Sequence, residues 1–384
     1  MAEKGFLILA DITGYTQYLN KSELEHAQDI ITSLINAILK PIHPPIIVHR
    51  IEGDAVFAYT TQNAFLQGQS LLESLEQLYF GFAHELENND RNTTCECNAC
   101  QNMHLLNLKT VVHFGEFGLQ DIGNHQELIG NDVNTVHRLL KNKIIEKTGI
   151  QSYLFISQAS MSEMSLEDFS KILTPHSEIY ENIGTIDGFV YDLAPIWQRE
   201  RERIRVFISK EDAKASVGLT LPIPPPIAWD YFTNPTTRAV FRKYDNNPVI
   251  GIQNGRLDVG TTYHCAHGEK ETPETIVDWK PFNYVTAKGR SPILNFIIEY
   301  EFTTIFEAVP DGTNITVNYS DIRVDKPTLL SKIVVPIFIK ILMFGMVPQA
   351  RKWSESLHQM IAEDKASGKL KMKFISAQAD INPF

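Results

Sequence analysis

Gly5-Phe-Leu-Ile-Leu-Ala-Asp-Ile-Thr-Gly-Tyr-Thr16 decides how the first half of the chain is read. The apolar run Phe6 to Ala10 ends abruptly in the carboxylate Asp11, and Gly14 follows in the turn. A short apolar run bounded in this way predicts a buried central strand. Asp11 then stands at the strand's carboxyl end, where open α/β sheets place their ligands. Alone, such an acid is equally a turn residue or a helix cap. A second acid, Asp54, lies in His49-Arg-Ile-Glu-Gly-Asp-Ala-Val-Phe57, in the turn of a hairpin with arms Ile46–Arg50 and Ala55–Tyr59. Two such turns on adjacent strands would hold two oxygen-ligated cations for work on a phosphate.

Working outward, Ser22-Glu-Leu-Glu25 reads as a capping box opening a helix that Pro41 closes. A second helix is expected over Gln62–Leu86, a strand over Leu105–Phe114 and a turn at Gly115–Gly118. Ile129–Leu139 reads as a loop running into a helix, with Asn134 and Arg138 one turn apart on one face. Strands are expected at Tyr153–Ile156 and Ile183–Asp192.

The chain has 384 residues, room for two domains with full cores. Its 43% apolar and 21% charged content is ordinary for a soluble protein, and a net charge of −11 argues against general nucleic-acid binding. Asp11 cuts the first apolar run too short for a secretory leader, and Ala2 excludes myristoylation, so a cytoplasmic protein is expected. Three of the four cysteines crowd into Cys95-Glu-Cys-Asn-Ala-Cys100, which is not a disulfide framework. Three thiolates in six positions suit Zn²⁺, with His104 or His113 as the fourth ligand; redox-active or merely exposed thiols are the other reading.

Asp-Ile-Thr-Gly-Tyr-Thr, Glu-Gly-Asp, His-Phe-Gly-Glu and Ile-Gly-Asn-Asp-Val-Asn-Thr-Val-His-Arg-Leu occur in order, and residues 5–195 resemble the class III nucleotidyl cyclase catalytic domain. More narrowly, they resemble an uncharacterised bacterial branch, DUF2652-like, that carries a Cys-x-Cys-x-x-Cys insert. The resemblance implies a ferredoxin-like fold and makes Asp11 and Asp54 the ligands of two Mg²⁺ or Mn²⁺, with the Ile12 carbonyl as backbone ligand. It makes Asn134 the group that orients the ribose and Arg138 the group that holds the phosphates in the transition state. Adenylyl cyclases read the base with Lys and Asp; Arg50 and Glu127 stand at those positions here. Arg is a flat multi-donor fork rather than a point donor, so the base preference is open. The resemblance also implies a head-to-tail homodimer with sites between protomers.

Trp197-Gln-Arg-Glu-Arg-Glu-Arg-Ile-Arg205 is a mixed-charge run that reads as a solvated helix or linker. Beyond it, strands at 213–221, 262–267, 274–279, 284–288, 297–306 and 313–319 predict a meandering antiparallel sheet, followed by a terminal helix. Pro-x-x-x-Trp-Asp, Asp-Trp-Lys-Pro-Phe-Asn-Tyr and a late Asp-Gly-Thr make residues 213–368 similar to the START-like, polyketide-cyclase (SRPBCC) superfamily. That resemblance implies a helix-grip fold with a cavity for a lipid or other apolar ligand. The apolar stretch Leu329–Val347 contains Lys332, Pro336 and Lys340, so cavity lining or peripheral membrane contact is expected rather than a transmembrane span.

The expected fold class is α+β in two domains. Residues 1–198 form the cyclase-like domain with its Cys-rich insert at 88–104, 199–212 the charged linker, 213–368 the START-like domain and 369–384 the tail. The expected function is conversion of a nucleoside triphosphate to a cyclic nucleotide and pyrophosphate under control of an apolar-ligand domain. The competing expectation is a catalytically inactive module that binds nucleotide or lipid.

Overall fold

Strand β1 (Ala2–Thr13) lies inside its sheet, hydrogen-bonded on both edges. The structure is a computed structural model describing residues 2–92, 95, 97–123, 125–243, 248–267, 270–293, 296–325 and 331–371. Leu329, Leu330, the side chains of 331–347 and the tail beyond 371 lie outside the described residues, and with them the apolar stretch Leu329–Val347.

β2 (Ile47–Glu52), β3 (Ala55–Thr61), β4 (Asn107–Ile122), β5 (His125–Ile129), β6 (Tyr153–Ser157), β7 (Thr174–Tyr180) and β8 (Gly184–Asp192) join β1 in the order β2-β3-β1-β4-β6-β8-β7. β5 pairs β4 off this path, and β4 with β6 is parallel while the other pairings are antiparallel. Period-two alternation sends the β1 side chains to two cores. Phe6, Ile8, Ala10 and Ile12 pack with α1 (Tyr15–Asn20), α2 (Leu24–Leu39), α3 (Gly68–Asn92) and the short α4 (Asn98–Gln101). Leu7 and Leu9 pack instead with Val133, Val136 and Leu139 of α5 (Asn131–Leu139).

Three local expectations change. Helix α2 begins at Leu24 with Glu23 in the N-cap position and no side-chain cap, and the buried Ser22 hydroxyl has no partner among the described residues. The Glu23 carboxylate instead accepts from the Asn98 and Ala99 backbone N–H groups at 3.3 and 3.0 Å, so it caps α4. Gly115–Gly118 does not turn. The strand runs through it because Ala2 to Gly5 of β1 pair along one edge, and β5 takes over from Gly118. Residues 62–67 are not helical, and α3 starts at Gly68.

The reason for that late start lies in the second half of the chain. After α6 (Ile144–Thr148), α7 (Gln158–Glu163), α8 (Glu167–Ser170) and α9 (Ala194–Glu202) come β9 (Ala215–Leu221), α10 (Pro225–Thr233) and α11 (Pro235–Arg242). Asp230 of α10 accepts from the Leu66 and Gln67 N–H groups at 2.9 and 3.3 Å and from the Ser70 hydroxyl. A carboxylate from one half therefore caps a helix of the other. Burial pushes Asp230 up to about 7 despite these bonds. Gln69 exchanges two 2.8 Å bonds with the Leu257 backbone, and Arg256 forks onto Glu76 at 2.6 and 2.9 Å. Trp279 donates to Glu73 at 2.8 Å, and burial pushes Glu73 up to about 8.

The second sheet runs β10-β11-β12-β13-β14-β15-β9, with β10 (Val249–Ile250), β11 (Thr262–His267), β12 (Lys270–Lys280), β13 (Tyr284–Ile293), β14 (Phe296–Val309) and β15 (Gly312–Tyr319); β16 (Arg323–Val324) pairs β14. Every pairing is antiparallel. Helix α12 (Ser331–Ala366) sends Leu357 and Ile361 into a core with Trp229, Phe232 and Phe306. The mixed-charge run is more than a solvated spacer. Arg203 reaches the Trp279 carbonyl at 3.0 Å and Asp258 at 3.1 Å, and Arg205 reaches the fully buried Asp278 at 3.1 Å. Among the described residues no helix is long and apolar enough to cross a membrane.

Glu274, 4% exposed, lies between the buried guanidiniums of Arg238 and Arg242, the latter at 3.0 and 3.1 Å. Glu274→Ala would leave two buried cations without their carboxylate. The variant is expected to lose about 3–5 kcal/mol in chemical denaturation; a loss below about 1 kcal/mol, the usual scale of a surface pair, would show that water reaches the cluster.

Candidate active site

The hairpin turn between β2 and β3 is Gly53-Asp54, with Gly53 in the left-handed region at φ 65°. The β1–β3 register sets Asp11 opposite Ala55, so Asp54, one residue earlier, stands beside the end of β1. The Ile12 N–H donates to the Asp54 carbonyl at 3.3 Å, tying the two turns together. Both carboxylates are half-buried. Burial, and then the charge of Asp11, push Asp54 from the usual 3.8 up to about 6.

Lys109, on β4 opposite Asp11, places Nζ 3.0 Å from Asp11 Oδ2 and donates to the Leu140 carbonyl at 3.1 Å. It faces the same side of the sheet as Asp11, the side that α5 covers. Sequence reasoning passed over Lys109, although a lone lysine inside Leu105–Phe114 was the available signal.

Asn134 and Arg138 lie one turn apart on α5, both exposed, and neither side chain has a polar partner among the described residues. Buried Val133, Val136 and Leu139 point the opposite way into the sheet. Arg50 and Glu127 meet: Arg50 Nη1 lies 2.5 Å from Glu127 Oε2, and Arg50 Nε lies 2.5 Å from Glu52. His49 and His137 adjoin this group at 3.6 Å from Glu127 and 3.7 Å from Glu52. Glu52, His49 and His137 were not expected there; a glutamate and two histidines on strand and helix surfaces carry no periodic signal.

Cys95, Cys97 and Cys100 come together, and their fourth neighbour is His26 of α2. His104 is not in this group; its Nδ1 lies 2.8 Å from the Gln101 carbonyl. His113 is also elsewhere, between Ser157 at 3.0 Å and Asp132 at 3.2 Å. The Cys100 backbone N–H, and then the nearby His26 and thiol groups, pull Cys97 down to about 7, so it has thiolate character near neutral pH.

Residues 31–148 match a family described as a protein of unknown function, DUF2652. The chain is 30% identical over 147 residues to the uncharacterized protein Rv2561/Rv2562 of Mycobacterium tuberculosis, a match covering 38% of this chain and 65% of that protein. The chain thus spans just under two thirds of that relative's length. Among solved structures, it is similar to a bacterial light-regulated adenylyl cyclase at 16% identity, covering 53% of this chain and 58% of that one with a TM-score of 0.38. The guanylyl cyclase Cya2 is 14% identical over 50% of this chain and 92% of its own, TM-score 0.39. The adenylyl cyclase CyaB from P. aeruginosa is 15% identical over 50% and 95%, TM-score 0.37.

Asp54 yields a pH prediction. Its folded pKa lies above the ordinary value, so between about 4 and 6 the folded chain holds the extra proton and stability falls as pH rises. In chelator at pH 7.5, Asp54→Asn is expected to raise Tm by about 2–4 °C, with little change at pH 4. Adding Mn²⁺ should raise the wild-type Tm and leave the variant's unchanged. An Asp54→Asn chain that melts with the wild type at both pH values would remove the uncompensated charge from the site.

Proposed function

We propose that the first half is a metal-dependent nucleotidyl cyclase of the class III type, with a ferredoxin-like core, acting as a head-to-tail homodimer. The observation that carries this reading is the placement of Asp11 and Asp54 at adjoining turns, together with exposed Asn134 and Arg138 on the outer face of α5, whose side chains have no polar partner among the described residues. The donor set fits Mg²⁺ or Mn²⁺: two carboxylates and the Ile12 carbonyl are hard oxygens, and Asp54 is raised first by burial and then by the charge of Asp11, with Lys109 opposing. Asp11, Asp54 and Ile12 would hold the ions, which supply Lewis acidity to the ribose hydroxyl and the triphosphate.

The remaining roles belong to side chains. Arg138 presents a fork of N–H donors to the phosphoryl oxygens, and Asn134 fixes the ribose so that its 3′-hydroxyl faces the α-phosphorus. A bond forms from that oxygen to the α-phosphorus, the bond to pyrophosphate breaks, and the hydroxyl proton leaves to water. Since α5 turns these two groups outward, a second protomer is the natural recipient. Arg50 and Glu127 are close enough to address one base, and opening their ion pair would free a donor fork and an acceptor.

The second half is proposed as a helix-grip, START-like domain at residues 213–368 that binds an apolar ligand and acts on the first through α3. What supports it is the antiparallel sheet with Leu357 and Ile361 of α12 against its aromatic core, and the Asp230 cap on α3.

A second reading is favoured by one contact. Lys109 already sits on Asp11, as a built-in cation would in a nucleotide-binding protein without catalysis. Purified full-length chain given Mn²⁺ or Mg²⁺ and each of the four nucleoside triphosphates decides between the two. Cyclic product with pyrophosphate, lost in Asp11→Asn and reduced on the order of 10³-fold in Arg138→Ala, supports the cyclase; nucleotide bound without product supports the second reading. Mixing Asp54→Asn with Arg138→Ala chains should restore roughly a quarter of wild-type activity through heterodimers with one intact site. Two singly inactive variants that remain inactive after subunit exchange would sink the shared site.

A further inference from the structure

The cysteine-rich insert and helix α2 come together in a way the proposed chemistry does not use. His26 Nδ1 lies 3.2 Å from Cys97 Sγ, 3.8 Å from Cys100 Sγ and 3.9 Å from Cys95 Sγ. All four ligand atoms lie within 4.8 Å of one another. A tetrahedral Zn²⁺ with bonds of about 2.3 Å to sulfur and about 2.0–2.1 Å to nitrogen has N···S edges of about 3.6 Å. The three separations straddle that value. None of the three cysteines is in a disulfide, so no such bond accounts for the convergence.

We propose that His26, Cys95, Cys97 and Cys100 form a structural Zn²⁺ site that braces the insert against helix α2. The ligand chemistry selects the metal class. Three thiolates and one imidazole are a closed set for Zn²⁺ and a poor one for Mg²⁺ or Ca²⁺. The surroundings are built for it. Glu23, three residues before His26, receives the Asn98 and Ala99 N–H groups and the Asn98 side-chain amide at 2.9 Å. Asn102 donates to the Lys21 carbonyl at 3.2 Å. Cys100 and Ala99 are buried with Met103 in the core beneath α2. The segment leading into α2 and the insert are thus tied together beside the ligands, through Lys21 and Glu23 before His26 and through Asn98, Ala99 and Asn102 around Cys100.

The brace has a mechanical consequence near the carboxylate pair. Leu105, the residue that follows the insert, has its carbonyl 2.2 Å from where a Cβ on Gly14 would stand. Gly14 has φ 87° and starts α1, three residues after Asp11. The chain leaving the insert therefore packs directly against the turn that leaves β1, and a brace on the insert would steady that turn. The site stands without the cyclase reading, because neither its ligands nor its backbone bonds involve nucleotide.

Metal analysis of the full-length chain, purified without chelator and equilibrated with zinc, tests the proposal. One zinc per chain is expected. His26→Ala and Cys97→Ser should weaken zinc binding at least tenfold, His104→Ala should keep it, and His26→Cys should retain one equivalent through a fourth thiolate. Co²⁺ substitution of the wild type keeps the test independent of variant folding: thiolate-to-cobalt charge transfer with intense tetrahedral ligand-field bands is expected. Zinc-free wild type after equilibration, a disulfide among the three cysteines, an octahedral cobalt spectrum, or full zinc affinity in His26→Ala would each overturn it.

Discussion

The register of β1 against β3 is the constraint on which the rest of the candidate site depends. With Asp11 opposite Ala55, the acid faces α5 and the turn acid Asp54 comes alongside. A slip of one residue would swing Asp11 onto the face of Ala10 and Ile12, into the apolar core under α2 and α3. An unpaired carboxylate there is too costly to leave charged. Hydrophobic alternation along β1 therefore protects the register, and the register positions the charge. β4 adds Lys109 from the opposite edge, so the central acid is flanked by a like charge on one side and a cation on the other.

The two halves meet through buried polar groups, beside Phe65 and Leu66, which pack against the second core. Asp230 caps α3, Gln69 pairs with the backbone of Leu257, and Glu76 receives both Arg256 and Tyr191. Each of these groups loses its water on docking and recovers its bonds only in this arrangement, so a mispaired junction leaves buried donors or acceptors unsatisfied. Helix α3 also contributes Leu71, Leu72, Leu75 and Leu78 to the core under β1. It is therefore the rigid element shared by the junction and the sheet.

Much of this was legible along the chain. The β1 run, the hairpin around Asp54, the α5 pattern and the meander of the second half each rest on periodicity within a dozen residues, where local physics dominates. The misread places were those where a distant group supplied the partner. Ser22 and Glu25 have the spacing of a capping box, yet Glu23 turned to α4. Residues 62–67 have helical composition, yet Asp230, more than 160 positions away, caps the helix after them. His26 has no local feature to distinguish it from any surface histidine, and only the return of the insert brings three thiols to it.

By itself the sequence determined most of the strand and helix segments, which faces are apolar, and which side chains have chemistry to offer, because these follow from side-chain type and spacing. Tertiary structure alone decided the pairings: Lys109 with Asp11, Arg50 with Glu127, His26 with the cysteines, Asp230 with α3. The physical reason is that charge and hydrogen bonding act through space over a few ångströms. Which groups come that close is set by strand register and helix docking, both of which are properties of the whole packed chain.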